Sequence, residues 1–477
     1  MRGLRLACCM LLLEGCYPGW PENLLHADGP GTQDADASSL DQVGDRPQDV
    51  ALDARVDAPT VPDTKPPADT KPPAETKPPA DTKPPADTKP PCFGLSCPLS
   101  CNKTLNRCAR ITPSNFDATS FHDQIVTSVG SAVSIQINTD TGEIKDPTIT
   151  IRPAGGEGTV VNGIYWGVVS QGSSYPGLSV FGMASLNIPA GGELVVTGQN
   201  ALAVYATGDV VIDGKMVTLP QGVSAGSGGF AGGSKDGNDG AYCLGGQGKG
   251  GISKSGRMST YCRSGGGGGG RKSNGGKGGD FSSCYGGSGG DGGVAVGNDT
   301  LVPLFGGCGG GGGGSWNGGN GGGGGGAIQL SASGSIAIGG VVSVPGAGGE
   351  GASSSAGGGG GGAGGAVLLE GASIQVTGII AVNGGAGGGG GTSAGQGPDG
   401  QASTTNAAGG LAGSSGSSGG GGGALLPEAG NPGQGHSYNT GGGGGAAGRI
   451  RLNSPSITIG PTGASPAPSK GSLVGTW

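Results

Sequence analysis

Aromatic residues are scarce in this 477-residue chain: seven Phe, four Trp and eight Tyr, or 4% of the total. Charged residues make up 12%, about half the usual share. With so few large apolar side chains the sequence cannot fill the core of a conventional α/β enzyme. Histidine is nearly missing. His26, His122 and His436 are too scattered for a metal site or a triad, and no Gly-x-Ser-x-Gly elbow stands on a strand-to-helix turn. What fills the space is Gly, at 118 residues, against a usual share of roughly 7%. Only seven of these Gly precede residue 111. They come in runs, not at every third position with Pro between, which excludes a collagen triple helix.

The N-terminus reads as an export signal over residues 1–15. Arg2 and Arg5 supply positive charge ahead of the apolar run Leu6–Leu13. That run is far short of the ~20 residues needed to span a bilayer. It ends in Leu13-Glu14-Gly15-Cys16, which resembles the bacterial lipobox. There a small residue precedes a Cys that is diacylated and becomes N-terminal; Gly15 and Cys16 match, and Glu14 departs from the usual small apolar residue. The resemblance implies a lipid on Cys16 and a membrane as partner. The alternative is a secreted protein with an ordinary signal peptide.

Residues 16–91 follow as a linker. Sixteen of the 32 Pro lie between Pro18 and Pro91, and from Asp63 the unit DTKPPA recurs, once as ETKPPA. One acid and one Lys per unit keep it neutral. Without apolar periodicity it cannot offset the entropy of ordering, so it is expected to be disordered. Paired prolines favour polyproline II at ~3.1 Å per residue, so residues 63–91 reach roughly 90 Å as a spacer.

Cysteine spacing supports export. Beyond Cys8, Cys9 and Cys16, eight remain in two groups of four: Cys92, Cys97, Cys101, Cys108, and Cys243, Cys262, Cys284, Cys308. An even mature count suits disulfides in an oxidising compartment. The first group defines a miniature module, residues 92–110, too short to bury a core and so held by its bridges. Zinc is the rival there, but the group has no Cys-x2-Cys pair and no nearby His. Three pairings are open and the spacing does not choose.

From residue 111 the signal is β. Apolar doublets Leu186/Ile188, Leu194/Val196, Leu202/Val204 and Val210/Ile212 begin eight residues apart. The two members of each doublet share one strand face. A two-strand unit then recurs at Ala201, Ala327, Ala366 and Arg449, with its first doublets at Leu202/Val204, Ile328/Leu330, Val367/Leu369 and Ile450/Leu452. The second doublets follow after 8, 8, 7 and 7 residues. Such repetition marks a solenoid. Three strands of about eight residues make a coil that resembles the pectin-lyase-like parallel β-helix. The resemblance implies an all-β, right-handed solenoid, with coils over 111–220 and 327–460 and a flexible tail over 461–477. An antiparallel meander is the rival, with Asp213-Gly214 and Asn383-Gly384 as its candidate hairpins.

Long Gly-rich insertions interrupt the coils, chiefly 221–326, 345–365 and 384–448. One outcome is disorder, since Gly has most entropy to lose. The other is side-by-side packing of extended Gly segments, polyglycine-II-like, which only Gly permits. The second Cys group staples 221–326, which favours order there.

Candidate chemistry is sparse. Asp209 and Asp213 flank one strand with Lys215 beyond, but Asp is a routine turn former and sugar cleavage needs converging carboxylates. Gly275–Asp280 and Gly286–Asp291 match the start of a calcium repeat, though 11 residues apart instead of nine. No metal or cofactor and no catalytic residue is expected. Against a net charge of −7, the cluster Lys254, Arg257, Arg263, Arg271, Lys272 and Lys277 is a candidate site for anionic polysaccharide, with Tyr242 and Tyr261 able to stack on sugar rings. Specific nucleic-acid binding is not expected.

As a whole the chain resembles an uncharacterised class of bacterial glycine-rich surface lipoproteins with a β-helical head. That implies an envelope or cell-surface location, a structural or adhesive role and no enzyme activity. The alternatives are a polysaccharide-active β-helix enzyme and a calcium-stabilised exported repeat protein. Mass spectrometry of the mature N-terminus is expected to find a diacylglyceryl group on Cys16; an unmodified terminus elsewhere in the chain contradicts the lipid anchor.

Overall fold

The computed structural model describes residues 101–102, 107–131, 133–251, 262–283, 287–473 and 475–476. Cys16, the export signal, the linker, Cys92, Cys97, Lys254, Arg257, Tyr261 and Cys284 lie outside the described residues. The architecture is all-β. The one helical element among the described residues is the short 3-10 turn His122–Gln124.

Three ladders of mostly parallel strands carry the fold. The first runs through Leu178–Met183, Ala201–Ala206, Ala327–Ile338, Ala366–Val376, Arg449–Asn453 and Ser469–Gly471. The second joins Val129–Gly130, Leu186–Ile188, Val210–Ile212, the ends of the two long strands, and Ile457–Ile459. The third joins Ser134–Asn138, Glu193–Thr197, Lys215–Thr218, Val341–Ser343, Ile379–Ala381 and Ala464–Ser465.

The doublets land in register. Leu202 pairs with Ile328, Ile328 with Val367, and Val367 with Ile450; Val204, Leu330, Leu369 and Leu452 make the next row. Val210, Ile336, Ile374 and Ile457 do the same in the second ladder. Stacked aliphatic side chains from all three ladders form one continuous core. Each fully buried Leu, Ile or Val contributes roughly 1.5–3 kcal/mol. Asp213-Gly214 is a corner, not a hairpin: the strands either side of it pair with different ladders.

The sheets are mixed because the N-terminal end is capped by antiparallel strands. Ser134–Asn138 pairs with Ile144–Lys145, which pairs with Thr150–Arg152, and Leu178–Met183 pairs with Ile164–Val169. Arg152 holds this cap from inside. Its buried guanidinium donates to the carbonyls of Gly142, Pro153 and Gly155 at 2.9–3.0 Å and lies over the Trp166 ring. Of residues 461–477, read as a flexible tail, three described stretches are instead tied in. Ala464–Ser465 and Ser469–Gly471 extend two ladders, and Gly475–Thr476 pairs antiparallel with Arg110–Ile111. The open edges of Ile379–Ala381 and Arg449–Asn453 give the tail somewhere to add.

The outward face of the first ladder is also covered. Ile111, Phe116, Phe121 and Ile125 pack over Ala201, Ala203, Tyr205 and Leu368. This segment is locked by Glu370, which is buried and accepts from Gln329 Nε2 (2.8 Å), Ser331 Oγ (2.9 Å), Asn453 Nδ2 (3.2 Å) and both the backbone N–H and the hydroxyl of Ser114. A buried carboxylate is tolerated only with such a full set of donors.

All three Gly-rich insertions leave from the end of a third-ladder strand and return at the start of a first-ladder strand. They thus share one corner of the stack, where they bond to one another. Segment 357–365 shows the rule. Gly357, Gly360 and Ala363 donate to Gly314, Gly311 and Cys308; Gly358, Gly361 and Gly364 donate to Thr440, Gly443 and Ala446; Gly359, Gly362 and Gly365 donate to Glu350, Ala347 and Val344. Its carbonyls accept from three further segments, at Gly319–Gly325, Gly266–Gly269 and Gly385–Gly388. A β-strand has two neighbours and a period of two. This segment has six neighbours and a period of three, the period of polyproline II. Backbones approach so closely that a Cβ on Gly360 would strike the Gly267 carbonyl. Gly360→Ala is expected to destabilise by about 3 kcal/mol through overpacking, whereas Gly460→Ala, whose added methyl meets nothing nearer than 3.6 Å, changes urea stability by less than ~0.5 kcal/mol.

Candidate functional site

Of the predicted basic cluster, Arg263, Arg271, Lys272 and Lys277 are among the described residues, and three of these are engaged within the protein. Arg271 is the clearest correction. Instead of facing solvent it is fully buried, stacked at 3.9 Å on Phe305, and donates to the carbonyls of Val296 and Phe305 at 2.8 and 2.9 Å. Burial, helped by Arg449, pushes its guanidinium down to about 9, so it stays charged at neutral pH as an internal brace. Lys272 bridges to Glu428 at 2.7 Å and also donates to the Ala467 carbonyl. Lys277 pairs with Asp280 at 2.8 Å. Arg263 is half-buried, and its backbone carbonyl accepts from Thr440. Asp280 is further engaged by the N–H of Gly289. The sequence showed the charge of Lys272 but not the acid that meets it, because Glu428 lies 156 residues away.

Of the cysteines, Cys243 and Cys308 are joined, closing a separation of 65 residues. Such a loop is worth roughly 4 kcal/mol in the chain-entropy picture. Cys101, Cys108 and Cys262 are disulfide-bonded too. Cys101 and Cys108 also face each other across the antiparallel pair Cys101–Asn102 and Arg107–Cys108. His122 Nδ1 meets the Tyr205 hydroxyl at 2.5 Å beneath the covering segment, and His436 accepts from the Tyr438 N–H, so both are locally engaged. Asp209 accepts from the N–H and hydroxyl of Ser335, tying the turn before Val210–Ile212 to the strand Ala327–Ile338.

One predicted residue does line a concavity. Tyr242 stands 67% exposed at the rim of a cleft of about 730 Å³. The cleft lies where the 173–177 loop and the tight turn 198–200 meet the start of the first Gly insertion. Tyr175 and Phe230 supply two more rings, and Ser173, Gln199 and Ser224 supply polar groups. Phe305 is the hub beneath them: Tyr175 is 5.3 Å and Phe230 6.1 Å from it, ring centre to ring centre, with Arg271 on its other side. The neighbouring disulfide belongs to the same small core, so Tyr242 is tethered next to a fixed point at Cys243. The wall behind is held by Asn200, whose amide donates to Thr139 O and Asp140 Oδ1, both at 3.2 Å.

No charged side chain lines this cleft among the described residues. It offers stacking surfaces and neutral hydrogen-bonding groups, and has no pair of groups for acid–base work. Sequence reasoning named Tyr242 and missed Tyr175, Phe230 and Gln199. The available signal was rarity, since each aromatic in so poor a chain has to be accounted for.

No protein-family model, curated protein or solved structure matches the chain.

Replacing Arg271 by Ala is expected to cost about 3 kcal/mol, because two buried carbonyls lose their donor and Phe305 loses a contact. Lys272→Ala, removing a partly exposed pair, costs about 1 kcal/mol or less in the same thermal melts.

Proposed function

We propose that this chain is a lipid-anchored structural or adhesive protein of a bacterial cell envelope, with no catalytic activity. In this reading Cys16 carries the acyl chains, residues 17–91 are the spacer, and the three ladders are a right-handed parallel β-helix. The insertions form a polyglycine-II-type lattice on one side of it. The observation that carries the reading is the lattice itself. Coils that would otherwise touch only their neighbours are cross-bonded at a single corner, as where Gly360 reaches Gly311 and Gly443 reaches Gly266. This makes a stiff head, suited to presenting a surface, out of material with little side-chain chemistry.

The described basic residues are mostly spent in ion pairs or burial. This favours the aromatic cleft over an anionic-polysaccharide patch as the adhesive surface in this reading. The enzyme alternative has one observation in its favour: Glu193, Asp213 and Lys215 share a shallow depression of about 330 Å³ on the third ladder. Sugar cleavage also needs the substrate ring held between its carboxylates. No aromatic side chain lines that depression among the described residues.

Cells making the full chain should adhere to polysaccharide-coated surfaces and lose the protein to external protease. Cys16→Ser should release it to the soluble fraction and reduce adhesion at least ~10-fold, the loss expected when tethered copies no longer act together. Adhesion unchanged by Cys16→Ser contradicts the anchored role. Depolymerisation of any polysaccharide, abolished by Glu193→Gln, establishes the enzyme instead.

A further inference from the structure

We infer that the cleft between Tyr175 and Tyr242 is a binding site for a neutral carbohydrate. The inference deepens the adhesive reading and rests on it, naming the ligand class of the surface it requires. Four observations carry it.

The first is the concentration of rings. The chain has 19 aromatic residues in 477, and three of them, Tyr175, Phe230 and Tyr242, line this one cleft. A pyranose presents a face of C–H groups that stacks on such rings, whose large area is gained at low conformational cost. The volume, about 730 Å³, falls in the range of small-ligand sites, roughly 300–1,000 Å³.

The second is preorganisation. Phe305 is fully buried and carries Tyr175 and Phe230 on it, while the Cys243–Cys308 bridge fixes the residue next to Tyr242. Tyr175 and Phe230, already packed on Phe305, lose little freedom on binding, and Tyr242 starts from a fixed backbone.

The third is unused polar capacity. The Gln199 amide, the hydroxyls of Ser173 and Ser224 and the phenol of Tyr242 have no hydrogen-bond partner among the described residues, whereas the adjacent Asn200 Nδ2 donates to both Thr139 and Asp140. The free groups both donate and accept, as sugar hydroxyls do.

The fourth is neutrality. With no charged side chain on the cleft walls among the described residues, an acidic glycan gains no counter-charge there. A quaternary ammonium ligand would draw on the same rings, so it is the competitor to test.

The probe is an array of neutral oligosaccharides of glucose, galactose, mannose and xylose, with heparin, alginate and phosphocholine as separate arms. It is applied to the full mature chain carrying Cys16→Ser, which is free of acyl groups. Binding to a neutral oligosaccharide is expected, with an affinity that changes less than ~2-fold between low and high salt. Tyr242→Ala should weaken it at least ~10-fold, and Gln199→Ala by about 5-fold. Trp316→Ala, removing an exposed ring elsewhere, should leave it unchanged. Reducing the Cys243–Cys308 bridge should weaken it as well. Thermal melts of each variant separate lost binding from lost fold. The site is refuted if no neutral sugar binds, if heparin, alginate or phosphocholine binds in preference, or if Tyr242→Ala binds like the parent. Cell adhesion that persists undiminished in Tyr242→Ala removes the cleft and leaves the adhesive reading standing. Neutral-sugar binding by the mature chain, with no adhesion by cells, removes the adhesive reading and leaves the site.

Discussion

The structure depends on peptide groups finding partners where side chains supply almost none. A buried N–H or C=O without a partner costs about as much as a lost hydrogen bond, and a Gly run buries two such groups per residue with nothing apolar in return. Gly also has more conformational freedom to lose than any other residue. A run such as 357–365 is held because its donors point in three directions and each direction meets another extended segment. The lattice is therefore cooperative. Segment 264–270 holds 357–365 and 441–448 and is held by 308–314, so no single run accounts for its own order.

The β core supplies what the lattice lacks. Aliphatic rows such as Leu202, Ile328, Val367 and Ile450 fix the spacing of the paired strands, and the insertions inherit that spacing because each begins and ends on one of these strands. Disulfide, aromatic hub and buried Arg271 gather at the seam between the two materials, where neither aliphatic stacking nor Gly bonding is complete. The cleft opens at that seam, where Tyr175 and Phe230 rest on the buried Phe305 ring.

Much of the β framework was legible in the sequence because its signal is periodic. Doublets two residues apart, recurring at fixed offsets, report a strand face and its neighbours in the stack, and all four recurrences paired as their spacing implied. The Gly insertions were legible as two alternatives only. Composition says that close approach is possible and cannot say which run meets which, since the partners of Gly358 lie in 440 and 266, far along the chain. The Glu370 network and the burial of Arg271 were illegible for a related reason. A charged residue in a polar stretch reads as solvated until the covering segment, here 111–125 or the Phe305 loop, is known to lie over it. The tail was misread because its strands, Ala464–Ser465 and Ser469–Gly471, are too short for any pattern to show.

The pairing of Gly475–Thr476 with Arg110–Ile111 sets how the head responds to mechanical load. A pull arriving from the N-terminal side reaches the head at that clasp. It then passes into a segment lying across the first ladder, where Ser114 grips Glu370 and Asn115 grips Gln329 and the Leu301 carbonyl. Such a load would be shared by the strands that carry Gln329 and Glu370 and by the closing pair at Gly475–Thr476, instead of falling on one edge.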